Sequence, residues 1–207
     1  MMRTFLKLIS YIFQPLLIPT YAIILLMRIP LFQLFGTQYR VIAVVGTLLF
    51  TAILPALPML LMMRKGQIKD VFISRREERT IPYLFSFLAY VFWVLFLWRT
   101  LQFPMEFIVL AIGTVFSVIL LVLINLKWKI SAHTAGVGGL VGGIIAVSYL
   151  IGINPVGLII LSLIVSGLVA ISRIHLKAHT LSQAIGGFCL GVSCLLLPAF
   201  VYTLLNQ

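Results

Sequence analysis

The chain has 207 residues, of which 62% are hydrophobic and only 9% are charged, and its mean hydropathy is +1.21. A soluble domain of this size cannot bury so much apolar surface, so the composition excludes a soluble protein and predicts one that spans a bilayer. The net charge of +11 would suggest nucleic acid for a soluble protein. In a membrane protein, basic residues first report topology and head-group contact, so we expect lipid partners and no nucleic acid.

Seven apolar segments follow one another, each close to the roughly 20 residues that cross a hydrocarbon core. Because these runs are continuous, and only helices or closed barrels satisfy their own backbone in lipid, we predict an all-α, polytopic transmembrane helix bundle in a single domain. The first segment has a basic start but no small-residue cleavage site, so we interpret it as a retained span. The short connection at 152–155 leaves open six spans with one re-entrant or interfacial segment. The predicted spans are 8–27, 41–63, 80–98, 105–126, 134–151, 155–171 and 184–205.

The basic residues are divided unequally between the two sides that this topology defines. The N-terminus and the loops at 64–79, 127–133 and 172–183 share one side, with 12 of the 15 Lys and Arg residues against 3 on the other. Because basic loops face the cytoplasm, we expect this side to be cytoplasmic. We expect an integral protein of a bacterial inner membrane.

The loop before the third span, residues 69–82, contains three of the four acidic residues and four basic ones. Thr80 is a candidate cap for the third helix, and Pro82 suits its first turn. Taken alone, the loop is typical of a solvated juxtamembrane segment whose Arg–Glu pairs contribute little.

The loop before the fifth span leads directly into a glycine-rich helix. Ser131 or Thr134 can cap that helix, whose N–H groups and positive dipole end favour an anion. His133 lies beside this end, where it could protonate a leaving oxygen or simply bond a carbonyl. The glycine pairs at 138/142 and 139/143 predict close helix packing in lipid.

The loop before the last span concentrates two of the three histidines. If it were helical throughout, His175, His179 and Gln183 would share one face. Zinc would need His133 as a third ligand, and no carboxylate or cysteine is near in sequence, so we expect no metal and no cofactor. Thr180 and Gln183 also match a capping box, which gives Gln183 a structural role.

Together the three loops resemble the motifs of the type 2 phosphatidic acid phosphatase superfamily of membrane lipid phosphatases, over about residues 69–190. That family carries the motifs K-x6-R-P, P-S-G-H and S-R-x5-H-x3-D. Ser172, Arg173 and His179 match the third motif in type and spacing. Ser131 and His133 match the second, which here lacks its Pro and Gly.

The first family motif is the least well preserved. Lys69 and Arg76 keep the K-x6-R spacing, but Glu77 stands where the family has Pro. The nearby Arg79 and Pro82 are candidate equivalents.

The resemblance implies a metal-independent phosphatase acting on a phosphorylated lipid such as phosphatidate, phosphatidylglycerol phosphate or a polyprenyl phosphate. His179 would attack the phosphorus and form a phosphohistidine, while His133 would protonate the leaving lipid oxygen. The phosphate would be held by Lys69, Arg76, Arg79, Ser131 and Arg173.

Gln183 is the main departure from the family, which has Asp at this position to orient the nucleophilic imidazole. A glutamine accepts the same hydrogen bond but carries no charge. This leaves two possibilities, a divergent phosphatase with a retuned site and a relative that binds or moves an anionic lipid with little turnover. A third interpretation of the chain is a structural membrane component whose histidines only cap helices. The family usually has its site on the outer face, whereas the charge count predicts the cytoplasmic face.

Overall fold

A computed structural model describes residues 2–69, 73 and 75–206. Within these residues, seven helical segments are long and apolar enough to cross a membrane, in agreement with the predicted all-α bundle of an integral membrane protein. The segments on either side of the turn at 152–155 each have 20 residues, so neither is a short re-entrant piece. We number them spans 1 to 7: Met2–Leu26, Thr37–Arg64, Glu77–Thr100, Met105–Asn125, Ala132–Ile151, Val156–His175 and Leu181–Leu205.

The first three spans change helix type along their length. Span 1 is interrupted after its first helix by a 3₁₀ turn that begins at Pro15, because proline lacks the N–H that would continue the ladder. In span 2, a π-helical stretch precedes Pro55. The component elements are Met2–Ile12, Pro15–Leu17 and Ile18–Leu26 in span 1; the connecting helix Pro30–Gln33; Thr37–Leu48, Leu49–Ile53 and Leu54–Arg64 in span 2; and Glu77–Arg79, Thr80–Leu95 and Phe96–Thr100 in span 3.

Spans 5 and 7 pack with their backbones in close contact. A Cβ atom added to Gly138 would lie 2.3 Å from the Phe188 carbonyl oxygen, and one on Gly142 would lie 2.6 Å from that of Val192. The packing predicted for the 138/142 pair is therefore confirmed. The prediction is wrong for Gly143, where an added Cβ meets no atom of the described residues within 4 Å, because this glycine lies against a cavity.

The predicted helix caps are formed at two of three helix starts. The Ser131 hydroxyl accepts the Thr134 N–H at 3.4 Å, and Thr180 forms its capping box with span 7. The cap predicted at Thr80 is wrong, because Thr80 is already the first helical residue and the chain enters through the 3₁₀ turn Glu77–Arg79. A capping side chain needs an extended residue ahead of the helix, and Arg79 has helical backbone angles.

Candidate functional site

A small polar cavity of about 80 Å³ lies at one end of the bundle, where the three polar loops meet. It is bounded by parts of spans 1 to 5 and by the connection between spans 6 and 7. The predicted convergence of the three loops at one end is therefore confirmed. The polar residues that line the cavity are Gln14, Arg79, Tyr83, Ser86, Tyr90, His133 and His179.

His179 lies in the connection between spans 6 and 7 and is 7% exposed. The carbonyl oxygen of Arg173 closes the preceding turn by accepting the N–H groups of Ala178 at 3.0 Å and His179 at 3.2 Å. The ring Nδ1 lies 3.2 Å from Gln183 Oε1 and 3.3 Å from the Lys129 carbonyl oxygen. Since both oxygens can only accept, Nδ1 carries the proton, and Nε2 keeps its lone pair.

Gln183 has the structural role that the sequence predicted and a second one. Its Oε1 accepts the Thr180 N–H at 3.2 Å, which completes the capping box, and the same oxygen accepts the proton of His179 Nδ1. One neutral amide therefore orders the start of span 7 and fixes the orientation of the imidazole.

His133 lies in the first turn of span 5 and is buried. Its Nε2 donates to the Ser10 carbonyl oxygen at 3.2 Å. Arg173, at the end of span 6, is 2% exposed and donates from Nη1 to the Ser10 hydroxyl at 3.3 Å. That hydroxyl lies 2.7 Å from the Ser172 hydroxyl, which donates to the Leu6 carbonyl oxygen. Span 1 therefore holds both His133 and Arg173 in place.

Arg79 is buried beside the cavity and joins two of the loops. Its Nε donates to the Ile73 carbonyl oxygen at 2.7 Å, and Nη1 donates to the Ile130 carbonyl oxygen at 3.2 Å. No carboxylate of the described residues lines the cavity, so the positive charge that faces it is suited to an anion.

Three of the residues predicted to bind phosphate lie away from the cavity. Lys69 is exposed, and its backbone N–H donates to Glu78 Oε2. Arg76 forms an ion pair with Glu77 at 3.6 Å, and the Ser131 hydroxyl is used as a helix cap. The structure thus brings Arg79, His133 and His179 to the cavity, with Arg173 and Gln183 beside them, but not Lys69, Arg76 or Ser131.

Two residues of the site, Ser10 and Gln14, were missed by the sequence analysis. Both lie in the apolar first span and belong to no recognisable motif. Helical spacing gave no signal for the pair, because the first helix ends at Ile12, so Ser10 lies within it and Gln14 lies after it in an extended conformation. Gln14 Oε1 is buried and has no hydrogen-bond partner among the described residues.

The environment of His179 keeps its imidazole neutral. Burial, followed by the positive charges of Arg79, Arg173 and Lys129, lowers its pKa from 6.5 to about 3, against the opposing effect of the hydrogen bond to Gln183. At neutral pH this side chain is therefore uncharged, with the lone pair of Nε2 free of a proton.

His175 does not share a face with His179, because the helix of span 6 ends at His175, and this side chain is exposed. In the part of the chain that the structure describes, no group of three or more His, Cys, Asp and Glu residues could hold a metal ion.

No protein-family model, curated protein or solved structure matches the chain. The fold places it among all-α integral membrane proteins. Its function has to be inferred from the chemistry of the cavity.

Proposed function

We propose that the protein is a metal-independent phosphatase that hydrolyses the phosphomonoester of a membrane lipid through a phosphohistidine, as a divergent relative of the type 2 phosphatidic acid phosphatases. The observation that carries this proposal is the setting of His179. Its Nδ1 proton is directed at two carbonyl oxygens, so Nε2 offers a lone pair to a cavity shared with Arg79 and His133.

The reaction has two steps. First, His179 Nε2 attacks the phosphorus, an N–P bond forms, the bond from phosphorus to the lipid oxygen breaks, and the leaving oxygen takes a proton from His133. In the second step water attacks the phosphorus, the N–P bond breaks, and His133 takes the proton of the water. Inorganic phosphate leaves and His179 is again neutral. The negative charge of the bound phosphate favours the imidazolium form of His133 that the first step needs.

The cations around the cavity offset the charge of the substrate and of the transition state. Arg79 lines the cavity, whereas Arg173 lies behind His133 and contributes through its field. Gln14 adds an amide to the lining, and its buried Oε1 has no hydrogen-bond partner among the described residues, so this side chain is a further candidate contact for the substrate. These groups suit a phosphate dianion, since no carboxylate of the described chain opposes it there.

A second candidate is a protein that binds or moves an anionic lipid with the same groups but with little turnover. The observation that favours it is the neutral Gln183 beside His179. Without a carboxylate, the imidazolium that forms as His179 is phosphorylated receives less stabilisation than an Asp or Glu would provide.

The experiment offers purified protein a panel of radiolabelled lipid phosphates in the presence of chelator, and follows phosphate release and label on the protein. We expect release, and a transient protein label that is stable to alkali and labile to acid. His179→Ala should lose both, while His175→Ala, an exposed histidine four residues away, should keep both. Release that survives in His179→Ala contradicts the mechanism, and saturable binding without any release supports the second candidate.

We further propose that the site faces the cytoplasm, because the basic residues are in excess in the N-terminus and loops at this end of the helix bundle. Lys177 is exposed and lies in the same connection as His179. In oriented vesicles, Lys177→Cys should react with a membrane-impermeant thiol reagent only from the cytoplasmic side. Labelling from the opposite side would reverse the orientation and leave the chemistry unchanged.

A further inference from the structure

A second, larger cavity of about 180 Å³ meets the polar cavity inside the bundle. The two share five lining residues, Pro15, Tyr90, Val118, Leu121 and Ala132, so they are adjacent. The larger one continues away from the polar end to Phe103, Ile153 and Pro155, near the opposite end of the helices. We call it the apolar groove.

The groove has an apolar lining along its length. Two of the four polar side chains in its wall are engaged elsewhere, with Trp93 donating to Thr47 and the Thr114 hydroxyl donating to the Leu110 carbonyl oxygen, and a third, Tyr90, lies where the groove meets the polar cavity. A cavity with such walls offers water few partners, whereas a hydrocarbon chain gains dispersion contacts along it. The charge of one cavity and the lining of the other therefore fit the two ends of one amphiphile.

Small residues of span 5 form one side of the groove at helical spacing: Ala132, Ala135, Gly136, Gly139 and Gly143, followed by Val147. From Ala132 to Val147 the helix rises about 22 Å, at roughly 1.5 Å per residue. This is most of the roughly 30 Å of a hydrocarbon core. The groove is long enough for an extended lipid chain whose head group lies at the polar end.

We propose that the apolar groove binds one hydrocarbon chain of the phosphorylated lipid, with its phosphate beside His179, and that Gly143 determines how long that chain can be. This proposal rests on the proposed function for the position of the phosphate. Gly143 lies about 16 Å along span 5 from Ala132, at roughly 1.5 Å per residue. Among the described residues, no atom lies within 4 Å of a Cβ added there, so a larger side chain would extend into the groove.

The first test compares hydrolysis of butyl phosphate and hexadecyl phosphate by Gly143→Leu. We expect its KM for hexadecyl phosphate to rise by about tenfold or more, since several methylene contacts are displaced, with no change for the short butyl ester. Gly167→Leu is the matched control, because Gly167 is also in a spanning helix with no atom within 4 Å of an added Cβ, but is exposed and outside the groove. Equal behaviour of the two variants, or a matching change for the butyl ester, overturns the proposal.

A second measurement separates the groove from the chemistry. Trp93 lines the groove and is 4% exposed, so in a Trp98→Phe, Trp128→Phe background its fluorescence reports a chain bound inside. Hexadecylphosphonate that is brominated in mid-chain is not hydrolysed and should quench the Trp93 fluorescence saturably. The quenching should be weaker in Gly143→Leu, and brominated hexadecane, which lacks the head group, should not quench this fluorescence. Quenching without turnover of any lipid phosphate would refute the proposed phosphatase activity and support chain binding in the groove. Turnover of hexadecyl phosphate without quenching would refute chain binding in the groove and support the phosphatase activity.

Discussion

Gln183 Oε1 lies 3.2 Å from His179 Nδ1 and is at the same time the acceptor that caps the start of span 7. The orientation of the proposed nucleophile and the first turn of the last helix therefore depend on one side chain. Because that side chain is neutral, it orients the imidazole but stabilises a positive charge on it less than a carboxylate would.

Gln183→Glu should accelerate phosphoryl transfer. Glutamate has the same length, so it keeps both acceptor contacts and adds a negative charge, which raises the pKa of His179 from about 3 and stabilises the imidazolium that forms on attack. We expect single-turnover hydrolysis of a lipid phosphate to be roughly tenfold faster, since a charge-assisted hydrogen bond is about twice as strong as a neutral one.

The control for this change is Gln183→Leu, which removes both contacts. It should slow the reaction and lower the free energy of unfolding by about 1–2 kcal/mol through loss of the cap. A Gln183→Glu protein that is as slow as Gln183→Leu would show that charge at this position does not limit the rate.

Arg79→Lys should reduce kcat/KM by about 100-fold, because an ammonium group cannot bond both the Ile73 and Ile130 carbonyl oxygens and also face the phosphate. Arg76→Lys, at a partly exposed residue paired with Glu77, should stay within about threefold. The comparison is made per mole of folded protein. Equal losses of kcat/KM in the two variants would show that Arg76 also contacts the phosphate.

The stability of the protein should depend on the charge state of His179 in acid. Its folded-state pKa of about 3 lies below the ordinary value of 6.5, so below pH 6.5 the unfolded chain binds the proton more readily. This contribution to stability is complete above pH 6.5 and is lost as pH falls toward 3, with a slope of up to about 1.4 kcal/mol per pH unit. Unfolding in detergent, followed from pH 7 to pH 4 for the wild type and His179→Asn, measures it. Parallel curves for the two proteins would contradict the assignment.

Gly191→Ala should destabilise the contact between spans 5 and 7. An added Cβ would lie 2.0 Å from the Ala135 carbonyl oxygen, so the helices would have to separate, at a loss of about 1–3 kcal/mol. Gly167→Ala, which faces open space, should be neutral or slightly stabilising because alanine favours helix. The two variants are compared by thermal unfolding in the same detergent. Equal midpoints would show that spans 5 and 7 accommodate the added methyl group without loss of stability.

The amino-acid pattern predicted the parts of the fold that depend on local physics. Continuous apolar runs locate the seven spans, and the Thr180–Gln183 spacing predicts the capping box. The spacing of Arg173 and His179 also identifies two residues of the site, because a short connection keeps them together.

What the pattern could not supply was the choice among residues whose positions depend on packing between distant spans. Arg76 and Arg79 lie three residues apart, yet only Arg79 points into the bundle, where the Ile130 carbonyl oxygen from the next loop accepts its proton. Ser10 contacts Arg173 across 163 positions of sequence, and no local rule predicts that contact.

The contact of Ser10 with His133 and Arg173 also has a consequence for the order in which the protein is made. Span 1 leaves the ribosome before the other six spans, but the groups that its Ser10 binds arrive with spans 5 and 6. During synthesis the polar cavity cannot close until these late helices have entered the bilayer. A chain arrested after span 4 would be an inserted helical intermediate without a binding site. Retention of nascent chains of increasing length on an immobilised phosphonate lipid would show at which length the site forms.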